Sequence, residues 1–467
     1  MTRVAIVGGG IAGIAAALRV IERGGTVDLI EAGPRVGGTI GTVRHDGFVI
    51  ETGPDSFITD KPWALALCER MGLAGDLVPT RETDRRTYVA RGDRLCPLPD
   101  GFLLLAPTSL WPLVRSPLFS LAGKLRMGLD LVLPRRRADA DESLAAFVRR
   151  RLGREALDRV ADPLASGIYT GDPERLSLRA TMPRFAEMEA RDRSLILGLR
   201  RRASEAKGVA GARYGLFVSH RDGMGALVQA LAARIPERSI HLRTVVESIA
   251  QTPGGWRLRT GGGTLEADAV VLACPARAAA ALLRPLDDGI AAELGAIPHA
   301  SSAIVTVGIR TADVPGGLPG FGFVVPAADR RDILACTFSS RKWPGRAPEG
   351  TELLRVFVGG VRRADLLALD DAALVALARR DLARFLDYRA EPIFARVDRW
   401  TDAMPQYTVG HDARMRALET RLASIPGLGL AGNAYHGVGI PDCVRTGGAA
   451  ADAVLADCER APTGATA

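Results

Sequence analysis

Apolar positions along this chain fall into short runs and longer Ala/Leu-rich stretches, and their spacing predicts where strands and helices lie. Val4 to Val7 reads as a buried strand and Ile11 to Val20 as a helix, with Gly8-Gly9-Gly10 as the turn between them. Thr26 to Ile30 reads as a second strand, closed by Glu31. Further on, His220-Arg221-Asp222-Gly223-Met224-Gly225 opens an apolar-periodic helix to Ala233, and Ile240 to Ile249 reads as a strand. Trp256 to Thr260 and Thr264 to Ala267 form a hairpin around Gly261-Gly262-Gly263, followed by an apolar strand from Ala269 to Cys274. Near the far end, Leu428 to Ala431 reads as a strand, Gly432 to Gly439 as a glycine-rich loop, and Pro441 stands where a helix would start. The fold class is therefore α/β, with its first unit at the N-terminus and its last element some four hundred residues later.

Strand, glycine turn and helix N-terminus together make an anion site, because free backbone N–H groups and the helix dipole both favour negative charge. Within G-x-G-x-x-G, Gly8 allows the sharp turn, Gly10 lets the backbone approach a pyrophosphate, and Gly13 lets the helix pack on its strand. Glu31 stands where a carboxylate takes ribose hydroxyls, which argues against a 2′-phosphate there.

Composition narrows the function without choosing it. With 467 residues and 47% hydrophobic content the chain can hold two domains with cores. Six cysteines without C-x-x-C spacing and six histidines without an H-x-x-x-H pair point to neither metal nor disulfide framework. The net charge is +8, but only four of the sixty-one basic residues are lysines (Lys61, Lys124, Lys207, Lys342). Basic triplets at Arg135 to Arg137, Arg149 to Arg151 and Arg200 to Arg202 sit in solvent-facing helical stretches without interleaved aromatics, so no nucleic-acid partner is expected. The positive balance suits an acidic substrate or an anionic membrane surface. No apolar run is long enough to span a membrane, and the reading is a soluble, cytoplasmic protein with room for peripheral contact at the inner face of the membrane. Phe102 to Leu133, rich in leucine and holding Trp111, is the segment for such contact, or else a helix pair of the second domain.

Several motifs add a resemblance. Arg35-Val36-Gly37-Gly38-Thr39 resembles the R-x-G-G extension of flavin enzymes, and Glu51-Thr52-Gly53-Pro54-Asp55-Ser56 resembles their segment beside the isoalloxazine ring. Gly167-Ile168-Tyr169-Thr170-Gly171-Asp172, Gly320-Phe321-Gly322-Phe323-Val324-Val325-Pro326, Met404-Pro405-Gln406-Tyr407-Thr408-Val409-Gly410-His411 and the closing run Gly432 to Cys443 then follow in order. Together they resemble the flavin amine oxidase superfamily, and within it the oxygen-dependent porphyrinogen oxidases, over nearly the whole chain.

That resemblance implies an FAD-binding Rossmann-like domain of the two-dinucleotide-binding-domain type, from residues 1–83, 215–277 and 397–460. An inserted α+β substrate domain would take 84–214 and 278–396, with a helical subregion around 102–214, and residues 461–467 would be a tail. It implies FAD contacts at Gly8, Gly10, Ile11, Ala12, Gly13, Glu31 and Ala32, at Arg35, Gly37, Gly38 and Thr39, and at Gly53, Pro54, Asp55 and Ser56. Val246, whose backbone would meet the adenine, Trp400, Gly432, Val438, Gly439 and Ile440 complete that set. For the substrate it implies Phe321, Gly322 and Val324 around a macrocycle, Arg85 or Arg86 on a propionate, and Phe357 as a further wall. No residue is assigned as acid or base, because the flavin N5 accepts hydride and pyrrole nitrogens stabilise the cation left behind. Lys342, in a stretch that reads as a loop, is not expected to serve the flavin, and Asp442 is expected as a helix-start residue.

The implied reaction oxidises protoporphyrinogen IX or coproporphyrinogen III to the porphyrin with dioxygen as acceptor, leaving hydrogen peroxide. An amine oxidase, a carotenoid desaturase and a non-catalytic flavin-binding protein are the other readings. Implied partners are the porphyrinogen, dioxygen and a transient ferrochelatase, with the chain a monomer or homodimer.

Overall fold

The strand Arg3–Val7 is the middle of a five-stranded sheet ordered Ile240–His241, Thr26–Ile30, Arg3–Val7, Ala269–Leu272, Leu428–Leu430, with every pairing parallel. This computed structural model describes residues 1–99, 102–103, 106–107, 110–136, 140–206 and 216–460. A parallel sheet buried on both faces needs apolar residues at successive positions, which explains the uninterrupted runs in the sequence. Val4 and Ile6 point into a core shared with Ile14 and Leu18 of the helix Ile11–Glu22 and with Val444 and Val454 of the C-terminal helix Ile440–Arg460. Ala5 and Val7 point the other way, onto Trp256 and Leu258 of the antiparallel meander Val246–Thr252, Gly255–Thr260, Gly263–Ala267 and onto Ile290. The first and last helices meet at backbone contact: a Cβ on Gly447 would lie 2.2 Å from the Ala12 carbonyl oxygen.

A second, seven-stranded sheet runs Phe394–Pro405, His299–Arg310, Thr351–Gly359, Ile333–Phe338, Gly322–Val324, Thr87–Arg91, Arg94–Pro97. One face packs Ala303, Val305, Val356 and Val358 on Leu374, Leu377 and Leu382 of the helix Asp371–Leu386. The register puts Ile304, Phe357, Ala335 and Val324 in one row on the opposite face. A helical layer closes the molecule, with Phe147, Val148, Val160, Phe185 and Leu199 in its core.

Several expectations are corrected. The run Ile240 to Ile249 is not one strand: Ile240–His241 joins the parallel sheet, Arg243 takes a left-handed conformation (φ 53°), and the meander starts at Val246. His220 ends the strand Phe217–His220 rather than opening a helix, which begins at Met224. The boundary drawn at 396/397 falls inside the strand Phe394–Pro405, an edge of the seven-stranded sheet. The stretch around Lys342 ends a helical turn, Ser339–Lys342. Arg151, read as solvent-facing, is fully buried: its guanidinium meets Asp130 at 2.5 Å and donates to the carbonyls of Pro134 and Arg193. Arg150 pairs with Glu142 and Glu189. Arg137 and residues 461–467 lie outside the described residues. All six cysteines are free, and no metal-holding cluster occurs among the described residues.

Candidate functional site

In open parallel sheets, ligands collect at the carboxyl ends of the strands. Here Val7, Leu272 and Leu430 are side by side in register, so the chain leaving each one enters the same crevice. The helix after Val7 has Gly10 as its N-cap and no side-chain cap, which leaves its first N–H groups to an outside acceptor. A Cβ on Gly10 or on Gly432 would meet nothing within 4 Å, so both face open space. Gly13 differs: its Cβ would stand 1.9 Å from the Gly8 oxygen, so its role is packing. The Glu31 carboxylate accepts from Gly9 N (2.6 Å) and Gly33 N (2.7 Å), and this fixes it across the mouth of the turn.

The Arg35 loop docks on that turn. Gly37 N donates to Gly9 O at 2.7 Å, and Gly37 bridges Gly10. Arg35 donates to the carbonyls of Ile40 (2.8 Å), Val36 (3.0 Å) and Gly38 (3.1 Å). It shapes the loop from within. Ala32 and Thr39 lie in the same two turns, the first exposed and the second half-buried.

Segment 51–56 is held by side chains of the second sheet and of the helical turn that follows its strand Ile333–Phe338. Trp400 Nε1 donates to Thr52 O (2.7 Å), Arg355 donates to Gly53 O, and Trp343 Nε1 donates to the Asp55 carboxylate (3.1 Å). Ser56 Oγ also donates to Asp55 (2.7 Å), while Pro54 is exposed. Burial pushes the Asp55 carboxyl up, but Lys342 and Arg355 outweigh it and hold it well below the usual carboxylate range. Burial drives Glu51 the opposite way, to a raised pKa, although Thr42 and Arg346 face it. Lys342 thus belongs to the frame that holds segment 51–56, through its ion pair with Asp55.

The closing loop is built on Tyr407. Its hydroxyl donates to Asn433 O (2.6 Å) and accepts from Gly437 N (2.8 Å), and its ring stacks on His411 at 4.0 Å. His411 Nε2 donates to Tyr435 O at 2.8 Å, and burial lowers its pKa. Asp442, in the first turn of the C-terminal helix, receives Lys61 Nζ on both oxygens (2.6 and 2.8 Å). Val246 starts the meander just after the turn whose Thr244 N donates to Glu31 O, which puts it beside the Glu31 edge of the crevice.

Val324 and Val438 pack against the same helical cluster, which also receives Leu164 of the helix Asp162–Tyr169. A strand residue predicted for the substrate and a loop residue predicted for the cofactor are thereby brought to one helical wall. Phe357 shares the row of Val324, with Arg355 over its ring at 5.4 Å. Phe321 is half-buried, its N–H on Arg86 O. Gly322 has a packing reason to be glycine: at φ 139°, its Cβ would strike Cys336 O of the neighbouring strand at 2.2 Å. Arg85 and Arg86 are both exposed; Arg86 pairs with Asp84 (2.6 Å) while Arg85 donates to Arg81 O (3.0 Å) and Thr80 O (3.4 Å). Two adjoining cavities of about 320 and 230 Å³ share Gly360 and Val361, and none of the predicted substrate residues lines them.

Sequence reasoning missed Lys61, Trp343, Arg346 and Arg355. The rarity of lysine was the one available signal, since two of the four lysines reach buried aspartates of the crevice segments.

A glycine turn on a parallel sheet, with a return strand, a meander and a second, seven-stranded sheet, defines a nucleotide-cofactor oxidoreductase fold. Residues 11–455 match the flavin containing amine oxidoreductase family, and the chain belongs to that family. It is 37% identical to a coproporphyrinogen III oxidase of Bacillus subtilis over 97% of each chain, and 35% identical to one of Propionibacterium freudenreichii over 96% and 90%. A chloroplastic protoporphyrinogen oxidase of Nicotiana tabacum is 32% identical over 94% of this chain and 83% of its own. A crystal structure provisionally named protoporphyrinogen oxidase, from Exiguobacterium sp. 255-15, superposes with a TM-score of 0.87 at 33% identity, covering 98% and 99%. UDP-galactopyranose mutase shares the fold (TM-score 0.72, 14% identity).

The cofactor is FAD. The residues present fit it: two uncapped or glycine-led helix starts face one crevice, and the Cβ-free space at Gly10 and Gly432 leaves room for a diphosphate and a ring. Among the described residues, Gly439 N and Ile440 N have no protein acceptor.

Proposed function

We propose that this chain oxidises a porphyrinogen to the porphyrin in haem biosynthesis, with coproporphyrinogen III as the substrate. The observation that carries the reading is full-length similarity to coproporphyrinogen III oxidases, at 37% and 35% identity and with 97% and 90% of those proteins covered. The chloroplastic relative is covered to 83%.

When bound, the flavin supplies a two-electron acceptor for each of three oxidations, and dioxygen takes the electrons on as hydrogen peroxide. Gly10 and the first turn of its helix receive the diphosphate, and Glu31 turns its carboxylate to the ribose. The Gly432 to Ile440 loop, held by Tyr407, meets the ring with N–H groups that stabilise negative charge. Val324 and Phe357 form an apolar wall that orients the macrocycle, and Arg85 meets a propionate through its planar fork. Pyrrole nitrogens of the substrate stabilise the cation, so no residue of the chain is needed as a strong base.

The helices Leu110–Arg115 and Leu121–Gly128 carry Trp111, Leu121 and Leu125 at 61%, 77% and 75% exposure. No helix among the described residues is long and apolar enough to cross a membrane. This apolar pair makes peripheral contact with an anionic lipid surface, and a ferrochelatase takes up the product. The deciding experiment follows porphyrin fluorescence in air with coproporphyrinogen III and protoporphyrinogen IX side by side, corrected for spontaneous oxidation. Faster turnover of coproporphyrinogen III is expected; preference for protoporphyrinogen IX reverses the substrate assignment, and turnover of neither by flavin-loaded protein ends the reading.

A further inference from the structure

Asp442 is an unusual side chain to find inside a glycine-rich loop. Its side chain, only 6% exposed, lies in the first turn of the C-terminal helix. A Cβ on Gly437 would stand 2.2 Å from the Asp442 carboxyl carbon, and one on Gly439 would stand 3.2 Å from Oδ2. The carboxylate therefore sits inside the glycine loop itself. That loop presents the unpartnered N–H groups of Gly439 and Ile440. A flavin gains negative charge on reduction, and those N–H groups and the helix dipole favour it. A buried carboxylate at the same helix end opposes it.

Lys61 cancels that opposition. It comes from the segment after Ser56, not from the C-terminal helix, and its Nζ reaches both Asp442 oxygens at 2.6 and 2.8 Å. Its side chain is 41% exposed, so the pair is open to solvent on the lysine side alone. The field of the carboxylate extends to its surroundings: it adds to burial in raising the pKa values of Tyr169 and Cys443, while Lys61 lowers that of Cys443.

We propose that the Lys61–Asp442 ion pair is an electrostatic tuning device, which keeps the flavin-facing end of the C-terminal helix neutral and thereby holds the reduction potential of the flavin up. The proposal rests on the reading that this loop meets the flavin ring. Lys61 acts through Asp442 and is a positioning residue.

The test uses the flavin-loaded protein without substrate, equilibrated with a reference dye to obtain the two-electron midpoint potential, alongside FAD stoichiometry and melting temperature. Lys61→Met leaves the carboxylate uncompensated, and the reduced-to-oxidised ratio at a given dye poise falls by about tenfold, or about 30 mV for a two-electron couple. Asp442→Asn shifts the potential upward, the double variant returns towards the wild-type value, and Lys61→Arg retains it. Unchanged potentials in Lys61→Met and Asp442→Asn, with full FAD and native melting, overturn the proposal. So does a double variant that shifts as far as Lys61→Met alone. If Lys61→Met holds no flavin, Asp442→Asn carries the test alone, and an unchanged or lowered potential overturns it. The flavin-site reading fails separately, by retention of FAD in Gly10→Val.

Discussion

Lys342 Nζ lies 3.2 Å from Asp55 Oδ2, joining the helical turn that follows the strand Ile333–Phe338 to the segment after the glycine turn and its Arg35 loop. Arg355 and Trp343 close on the same carboxylate at 3.7 and 3.1 Å. Asp55 is thus the peg that ties segment 51–56 to side chains in and beside the second sheet, and its removal leaves two cations facing an uncharged group. Asp55→Asn is expected to lower unfolding stability by about 3–5 kcal/mol in urea titrations at neutral pH. The carboxyl is held below its unfolded value, so its contribution is full above about pH 4 and is lost as pH falls through the lower folded value. The gap between wild type and variant should narrow in acid below about pH 4; a gap that widens there contradicts the assignment.

Gly10 faces open space, so a larger side chain there costs the apoprotein little. Gly10→Val should fold with near-native circular dichroism and lack the yellow flavin spectrum. Stoichiometric FAD in the purified variant would move the phosphate site elsewhere.

Gly322 separates packing from binding. Its Cβ would collide with Cys336 O inside the sheet, at a φ that only glycine adopts with ease. Gly322→Ala should lose about 2 kcal/mol or more of stability. A variant as stable as wild type, with only its Michaelis constant raised, would restore the substrate-approach explanation.

Among the described residues, Arg85 makes only carbonyl contacts through its guanidinium, so it can swing to a carboxylate without breaking an ion pair, whereas Arg86 is paired with Asp84. Arg85→Ala should raise the Michaelis constant about tenfold with flavin retained, as expected for loss of a charge-assisted pair worth about 1.5–3 kcal/mol. No change in that constant would shift the propionate contact to Arg86 or another cation.

Leu121 and Leu125 are among the most exposed large apolar side chains, on one short helix that also carries Lys124 and Arg126. Wild-type protein should sediment with vesicles of anionic phospholipid, and Leu121→Asp/Leu125→Asp should release it without loss of turnover. Equal sedimentation of both would remove this face as the contact.

The first and last strands, the glycine turn, the Glu31 end and the closing loop were legible in the sequence because parallel strands buried on both faces leave continuous apolar runs, and glycine marks backbone approach. The break in Ile240 to Ile249 was hidden, because an apolar or β-prone run carries no sign of the left-handed Arg243 that divides it. Buried charge was the least legible. Arg151 and Lys342 look like any solvated cation until Asp130 and Asp55, distant in sequence, are brought against them.

By itself, then, the sequence determined what local pattern and short-range chemistry can carry: the α/β class, the anion-binding turn, and motif runs for a flavin and a porphyrinogen. Tertiary structure alone decided which groups share one space. It placed Val324 and Val438 on one helical wall, set Gly322 hard against Cys336 O of the next strand, and paired Lys61 with Asp442 across 381 positions. Such pairings depend on burial and distance, and neither is written in the spacing of residues along a chain.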